Sequence, residues 1–186
     1  MCEPETKIEP HFDEPNLVAL EMVRKFISPH SDELDESEGF LVGQLSLNQI
    51  PYRFEFNCNS KLGIVIRLQF DLVILDDLLP EIMEFIIRSN SLNAFKFWDF
   101  DFSSKVVSLS HFQETENSKR QDFEDMCRII FLTADATFPY LAGVTLGMMN
   151  PKDAAEISDS TQMEVIQELY DNISGYRKRS KEPENP

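Results

Sequence analysis

Two aspartates, Asp99 and Asp101, come closest to a catalytic arrangement in this sequence. They alternate with Trp98, Phe100 and Phe102 in the run FWDFDF, and residues two apart on an extended strand lie on the same face. Carboxylates buried side by side couple, and one then keeps its proton near neutral pH, as acid–base hydrolysis requires. Because these two precede a turn, where water reaches carboxylates, we predict that they are not catalytic. A hydrolase that uses them stays an alternative.

The cysteines and histidines form no arrangement typical of a metal site or a nucleophile. They are widely separated in the chain: Cys2, Cys58, Cys127, His11, His30 and His111. Zinc sites need such residues in closely spaced pairs, and a reactive thiol needs a helix start or a cation beside it. We therefore predict no catalytic residues, no metal site and no cofactor. Cys58 and Cys127 are expected to be buried, reduced thiols, which favours a cytoplasmic protein.

The most apolar stretch, FPYLAGVTLGMM, contains the glycine pair Gly143 and Gly147. Its uncharged run, 136–149, is shorter than the roughly 20 residues that span a bilayer. A phosphate-binding loop would need a strand before the glycines and a helix starting after them, whereas a helical stripe precedes them. We predict a helix end, with Gly147 as its terminator and Gly143 allowing a neighbouring element to approach closely.

The chain is strongly acidic, with a formal net charge of −16 over 186 residues. This charge disfavours nucleic acid and anionic membranes, and it favours basic or weakly structured protein partners. The first residues contain no apolar segment of the kind found in signal peptides. We predict a flexible acidic arm over residues 1–15, a single domain over 16–174 and a polar tail over 175–186.

Hydrophobic periodicity predicts an α+β fold whose antiparallel sheet has about five strands. The elements follow in α-β-β-β-α-β-β-α order, with helices packed on the sheet and extra C-terminal helices. The charge run HSDELDESEG, after the first helix, is expected to be a solvated loop. The predicted elements are helices over 17–27 and 76–90, strands over 40–47, 52–58, 63–70, 95–102 and 106–112, a long helix from Phe123 kinked near Pro139, a short helix capped by Asn150, and a last helix that begins at a capping box, Thr161 to Glu164.

Two features of these elements carry further predictions. The fourth strand changes phase at Trp98, which predicts either a bulge there or a strand covered on both faces, with Trp98 packed in the sheet. The helix over 76–90 has an apolar arc too wide to lie on one core. One copy folded onto its own sheet should therefore leave Leu78 and Phe85 exposed to water, so we predict a homodimer that uses Leu78, Ile82 and Phe85. The alternative is that the first or last helix of the same chain covers them.

The order of the elements resembles the type III secretion chaperone fold, and within it the YbjN-like family of bacterial sensory transduction regulators. The resemblance covers about Phe40 to Ala155 and lies in LGIVIRLQF, NAFKFWDFDFSSKVVSLS and the long helix that leads through Pro139 to Gly147. It implies a small, acidic, often dimeric protein that binds segments of other proteins and has no catalytic motif. A small-molecule sensor with an apolar pocket between helix and sheet stays a further alternative.

Overall fold

The computed structural model describes residues 16–29, 31, 34–47, 50–60, 63–92, 97–114 and 120–179. The predicted arm, 1–15, lies outside them. The elements are α1 Leu17–Ile27, β1 Leu34–Ser37, β2 Phe40–Leu47, β3 Ile50–Asn57, β4 Gly63–Phe70, a short 3₁₀ helix Asp76–Leu78 that runs into α2 Leu79–Leu92, β5 Phe97–Asp101, β6 Val106–Glu114, α3 Arg120–Thr145 and α4 Pro151–Arg179.

All described strands belong to one antiparallel sheet, in the order β1-β2-β3-β4-β6-β5. This confirms the α+β class, with six strands instead of about five. The additional strand, β1, lies in the charge run that we expected to be a loop. Its sequence LDES is polar and exposed, so it has none of the alternation that marks a half-buried strand. Glu38 and Gly39 both have positive φ, as a tight type I′ hairpin turn between paired residues Ser37 and Phe40 requires.

The core lies on one face of the sheet, which we call the inner face. Period-two alternation places large apolar residues there, and the most deeply buried include Tyr52, Phe54, Phe56, Ile64, Ile66, Leu68 and Phe70. The helices cover this face. Phe26 of α1 packs edge-on against Phe123 of α3, and the rings of Phe123 and Phe138 lie against aromatic rings of β3 and β4. Helix α4 packs on α2 and α3.

Helix α3 ends at Gly147, as predicted. The Met148 N–H donates to the Gly143 carbonyl at 2.8 Å, and the Gly147 N–H donates to the Val144 carbonyl at 3.0 Å. This pair of bonds is a Schellman motif, which needs a left-handed residue, and Gly147 has φ +66°. Gly143 also permits a close approach, because a Cβ atom there would lie 2.7 Å from Cγ and Sδ of Met149.

The segment Phe123–Thr145 of α3 is long and apolar enough to cross a membrane. This is longer than the uncharged run considered from the sequence, because the helix begins well before that run. In the most apolar part of this segment, 56% of the helix is buried inside the protein. A core helix passes the same test of length and composition, and the burial of Cys127, Ile130 and Ala134 against the sheet is typical of one.

The C-terminal part is one continuous helix, α4, where we expected two short ones. Asn150 caps it as predicted: its Oδ1 accepts the Lys152 N–H at 2.9 Å. The capping box at Thr161 is wrong. The Thr161 hydroxyl donates to the Ile157 carbonyl at 2.9 Å within the helix and lies 3.2 Å from the Tyr140 hydroxyl. The helix also continues to Arg179, beyond the predicted start of the polar tail at 175.

Candidate functional site: the open face of the sheet

No described element covers the face of the sheet opposite the helices, which we call the open face. Its residues alternate with the core residues along each strand, so they project away from the helices. Most are polar, but three phenylalanines lie among them: Phe40 on β2, which is half-buried, and two with more exposed rings. Phe97 on β5 is 58% exposed and Phe112 on β6 is 49% exposed, which is unusual for large aromatic side chains that have a core available to them.

The middle of the open face is a cross-strand row of polar residues. Glu55, Arg67 and Ser110 are register partners on β3, β4 and β6, and Phe97 follows on β5. Nη1 of Arg67 lies 3.6 Å from Oε1 of Glu55, and Nε of Arg67 donates to Oγ of Ser110 at 3.4 Å. Ion pairs this exposed contribute little stability. Their effect is to hold the Arg67 side chain flat along the row.

The neighbouring row places a cation, Arg53, between two amides. Gln44, Arg53 and Gln69 are register partners on β2, β3 and β4. Two shallow depressions, of about 550 Å³ and about 290 Å³, meet here, and both are lined by Gln44 and Arg53. Arg53 is exposed and forms no ion pair with any residue that the structure describes. In a chain with net charge −16, this makes Arg53 the natural contact for a carboxylate or a carbonyl group.

Phe112 is held at the other end of the open face by a glycine. A Cβ atom on Gly63 would lie 2.6 Å from Cζ of Phe112, so the ring occupies the space that a side chain at residue 63 would take. Phe97 pairs with Ser110, two residues before Phe112, and therefore lies diagonally across from that ring. The open face thus has an aromatic end and an amide–arginine end.

The β5 edge of the sheet is closed to strand addition. The Asn90 side chain on α2 accepts the Trp98 N–H at 2.7 Å and donates to the Trp98 carbonyl at 2.8 Å, as a neighbouring strand would. The next outward N–H, that of Phe100, donates to the Asp99 side chain at 2.9 Å. Natural sheets block their edges in comparable ways. A partner segment at this end must therefore bind through side chains across the open face, not as a further strand.

Asp99 and Asp101 do share one face, the open face, and both are exposed. Asp101 stabilises the turn that follows it: it accepts bonds from the Ser103 N–H and from the hydroxyls of Ser103 and Ser104, at 2.7–2.8 Å. These bonds, the Ser103 hydroxyl first, lower the pKa of Asp101 to about 2. A general acid needs the opposite shift, so this geometry gives no support to a hydrolase built on the two aspartates.

Trp98 is a packing residue, as predicted. It is 4% exposed, stacks on Phe70 with ring centroids 5.3 Å apart and meets Phe85 edge-on at 5.5 Å. The predicted bulge is absent from the described part of the strand, since residues 97–101 pair with β6 without interruption. The apolar residues on both sides of Trp98 have a simpler explanation than a bulge. Trp98 faces the core, whereas Phe97 lies on the uncovered open face.

The surface predicted for a homodimer is largely buried within one chain. Ile82 and Phe85 are both 0% exposed, and only Leu78 is partly exposed. The expectation that a single chain leaves Phe85 exposed to water is wrong. Helix α4 of the same chain packs on α2, and Trp98 contacts the Phe85 ring. A homodimer stays a prediction, but Ile82 and Phe85 are not available to form its interface.

The two described cysteines are buried, as expected. Burial, and to a lesser extent the charge of Glu36, raises the pKa of Cys58 to about 12. Burial also raises the pKa of Cys127 well above its ordinary value. Thiols in such surroundings are poor nucleophiles. Among the described residues, no cluster of His, Cys, Asp and Glu has the composition and proximity to hold a metal ion.

A groove of about 440 Å³ lies on the helical side, between α1, β2 and α3. Its walls include Phe26, Leu45 and Phe131, and Arg128 stands at its rim. The rings of Phe26 and Phe131 are nearly parallel, with centroids 6.2 Å apart. This is the kind of apolar pocket, between helix and sheet, that the small-molecule alternative requires.

The residues that define the open face could be placed only in part from the sequence. The alternation in β4 puts Arg67 and Gln69 outward, but nothing local indicates that Arg53 lies between two glutamines or that Asn90 closes an edge. Comparison of the chain with protein families, with curated proteins and with solved structures finds no match. The resemblance to YbjN-like proteins therefore stays a prediction.

Proposed function

We propose that this protein is a non-enzymatic cytoplasmic binding module that holds a segment of a partner protein on the open face, in a chaperone-like or regulatory role. One observation carries the proposal: the described helices pack on one side of a six-stranded sheet, and the other side keeps Phe97 and Phe112 in solvent. Apolar surface of this kind on a soluble protein commonly marks an interaction site.

The open face offers two kinds of contact to such a segment. Covering Phe97 and Phe112 would remove on the order of 100 Å² of apolar surface each, or roughly 2.5 kcal/mol per ring. Arg53, Gln44 and Gln69 offer hydrogen bonds to side-chain or backbone oxygens at the other end. The aromatic end therefore supplies affinity, and the amide–arginine end supplies orientation and selectivity.

The test is affinity capture from the source cells with quantitative mass spectrometry, comparing three baits. Phe97→Ser/Phe112→Ser removes the aromatic end, whereas Ile157→Ser/Met163→Ser removes two side chains of 44% and 58% exposure from α4, on the other side. We expect one or more proteins to be retained by the wild type and by the helix variant and lost from the open-face variant. Equal retention by all three baits would contradict the proposal, provided that thermal melts show each variant folded.

The groove between α1 and α3 supports a second candidate function, the binding of a small apolar ligand. Its volume and its aromatic lining suit a compact hydrophobic molecule, and Arg128 at the rim suits an acidic group on it. An environment-sensitive apolar dye should bind with enhanced fluorescence, and Leu132→Asp should abolish the signal. If Leu132→Asp binds the dye as well as the wild type does, the groove is not the site.

We also retain the homodimer as part of this proposal, on an interface that does not include Ile82 or Phe85. Sedimentation equilibrium measures it directly. A mass near that of the 21.5 kDa chain at tens of micromolar would contradict it.

A further inference from the structure

Five strongly exposed apolar side chains lie near one end of the sheet, in three segments of the chain. The segments are the loop before α2, the β5–β6 turn and the junction between α3 and α4. We call this set the end patch: Val73 is 84% exposed, Leu75 53%, Phe102 65%, Leu146 67% and Met148 77%. None of the five belongs to the open face as defined above.

Three contacts bring the three segments of the end patch together. Gly147, between Leu146 and Met148, approaches Leu78, since a Cβ atom on Gly147 would lie 3.6 Å from Cδ2 of Leu78. The Leu78 N–H donates to the Leu75 carbonyl at 3.1 Å, which links Leu78 to the loop before α2. The turn that carries Phe102 is joined to the same region by an ion pair of 2.6 Å between Nζ of Lys105 and Oδ1 of Asp76.

The patch is large for a protein of this size. At roughly 150 to 200 Å² for a fully exposed large apolar residue, the five fractions amount to on the order of 600 Å². This is at the top of the range for the largest apolar patch on a monomer. Such patches usually mark a surface that another molecule covers.

The charges around the end patch indicate which class of molecule covers it. The same three segments, extended to the first turn of α4, carry five acidic and two basic residues: Asp71, Asp76, Asp77, Asp101, Asp153, Lys105 and Lys152. An anionic membrane would be repelled by this rim. A second copy of the chain on a two-fold axis would bring two rims of the same net negative charge together. A segment that carries both apolar and basic residues is complementary to the patch and to its rim.

We infer that the end patch is a second docking site, which binds an amphipathic, Lys- or Arg-bearing segment of a partner protein. Leu146 and Met148 flank the glycine that ends α3, so their positions are fixed by the Schellman motif. They supply apolar contacts while the acidic rim pairs with the basic face of the segment. Because none of its five apolar residues lies on the open face, the protein can hold two segments at once and act as a bridge.

The test uses a fluorescein-labelled model peptide, LKKLLKLLKKLLKL, and fluorescence anisotropy at physiological salt. Leu146→Ser/Met148→Ser should weaken its binding at least tenfold, an amount that corresponds to about 1.4 kcal/mol. The matched pair Ile157→Ser/Met163→Ser, two exposed apolar side chains of α4, should change it less than about twofold. The peptide LEELLELLEELLEL should not bind. Equal binding by the end-patch variant and the matched pair would mean that net charge alone attracts the basic peptide, and the proposal would fail.

Sedimentation equilibrium tests whether a second copy occupies the same surface. A wild-type dimer that Leu146→Ser/Met148→Ser converts to a monomer would show that the chain covers its own patch, and it would overturn the proposal. A mass that the double substitution leaves unchanged supports a patch that is free for a partner. Urea unfolding of the double variant serves as the folding control, and because both side chains are exposed we expect an unchanged midpoint.

Discussion

Replacing Asn90 with alanine is the sharpest perturbation that this structure offers. The substitution removes the acceptor of the Trp98 N–H and the donor to the Trp98 carbonyl, at 2.7 and 2.8 Å. Each half-buried bond contributes about 1 kcal/mol net, and alanine returns about 0.5 kcal/mol of helix propensity. The free energy of unfolding should therefore fall by about 1.5 kcal/mol.

Two measurements separate this effect from a general loss of stability. In urea titrations, Asn90→Ala should shift the midpoint and leave the slope unchanged. Hydrogen exchange should accelerate at the Trp98 amide more than at amides of β4 in the centre of the sheet. Ser91→Ala is the matched control, because Ser91 lies on the same helix turn and, among the residues that the structure describes, its hydroxyl bonds only to the Arg88 carbonyl of its own helix. This control should be neutral.

Loss of the Asn90 side chain should also lower the solubility of the protein. Without the Asn90 amide, the β5 edge presents an unpaired N–H and C=O at Trp98, which is a template for pairing with another chain. Light scattering of concentrated Asn90→Ala at moderate temperature should therefore rise, while Ser91→Ala stays clear. If both variants unfold at the same urea midpoint and the Trp98 amide stays protected in both, the Asn90 side chain does not close the β5 edge.

The remaining predictions concern single positions. Trp98→Ala should cost about 3–5 kcal/mol of unfolding free energy in denaturant titrations, and a parental melt would refute its place in the core. Glu38→Asn should add about 0.5–1 kcal/mol, because asparagine accepts the left-handed conformation of a type I′ turn; no gain in the urea midpoint would argue against that turn. The Asp101 carboxyl should titrate near pH 2 by NMR. Since its folded pKa lies below its unfolded value, the stability it contributes is present above about pH 4 and is lost as the pH falls towards about 2, so Asp101→Asn should flatten that part of the stability curve. Cys58 and Cys127 should resist thiol reagents at pH 8, in a variant without the N-terminal cysteine, until the chain unfolds; prompt labelling would show that they are accessible.

The sequence predicts most elements of this fold because their signals are local. Helix α1 has the predicted bounds, 17–27. Oδ1 of Asn16 accepts the Ala19 N–H at 3.0 Å at its start, and Ser28-Pro29 follows its last residue. The bounds of β2 and β4 follow in the same way from alternation between turns. Gly147 ends α3 because few other residues tolerate φ +66°.

The features that escaped prediction depend on distant partners. Strand β1 has no apolar alternation and forms because β2 and a tight turn hold it. Helix α4 continues past Thr161 because the residue lies against Tyr140 of α3, which outweighs a local capping pattern. The burial of Phe85 was missed for the same reason. A wide apolar arc on a helix predicts that something covers it. It does not indicate whether the cover is a second chain or a later helix of the same chain.

The order in which the ribosome synthesises these elements has a consequence for folding in the cell. Helix α4 is the last described element of the chain, yet it lies along α2, so a ribosome that has released α2 must still deliver β5, β6 and α3 before α4 emerges. During this interval Ile82 and Phe85 lack part of their cover, and a nascent chain is then vulnerable to aggregation. Messages truncated before Pro151 should therefore yield chains that chaperones retain and proteases remove, whatever the state of the sheet.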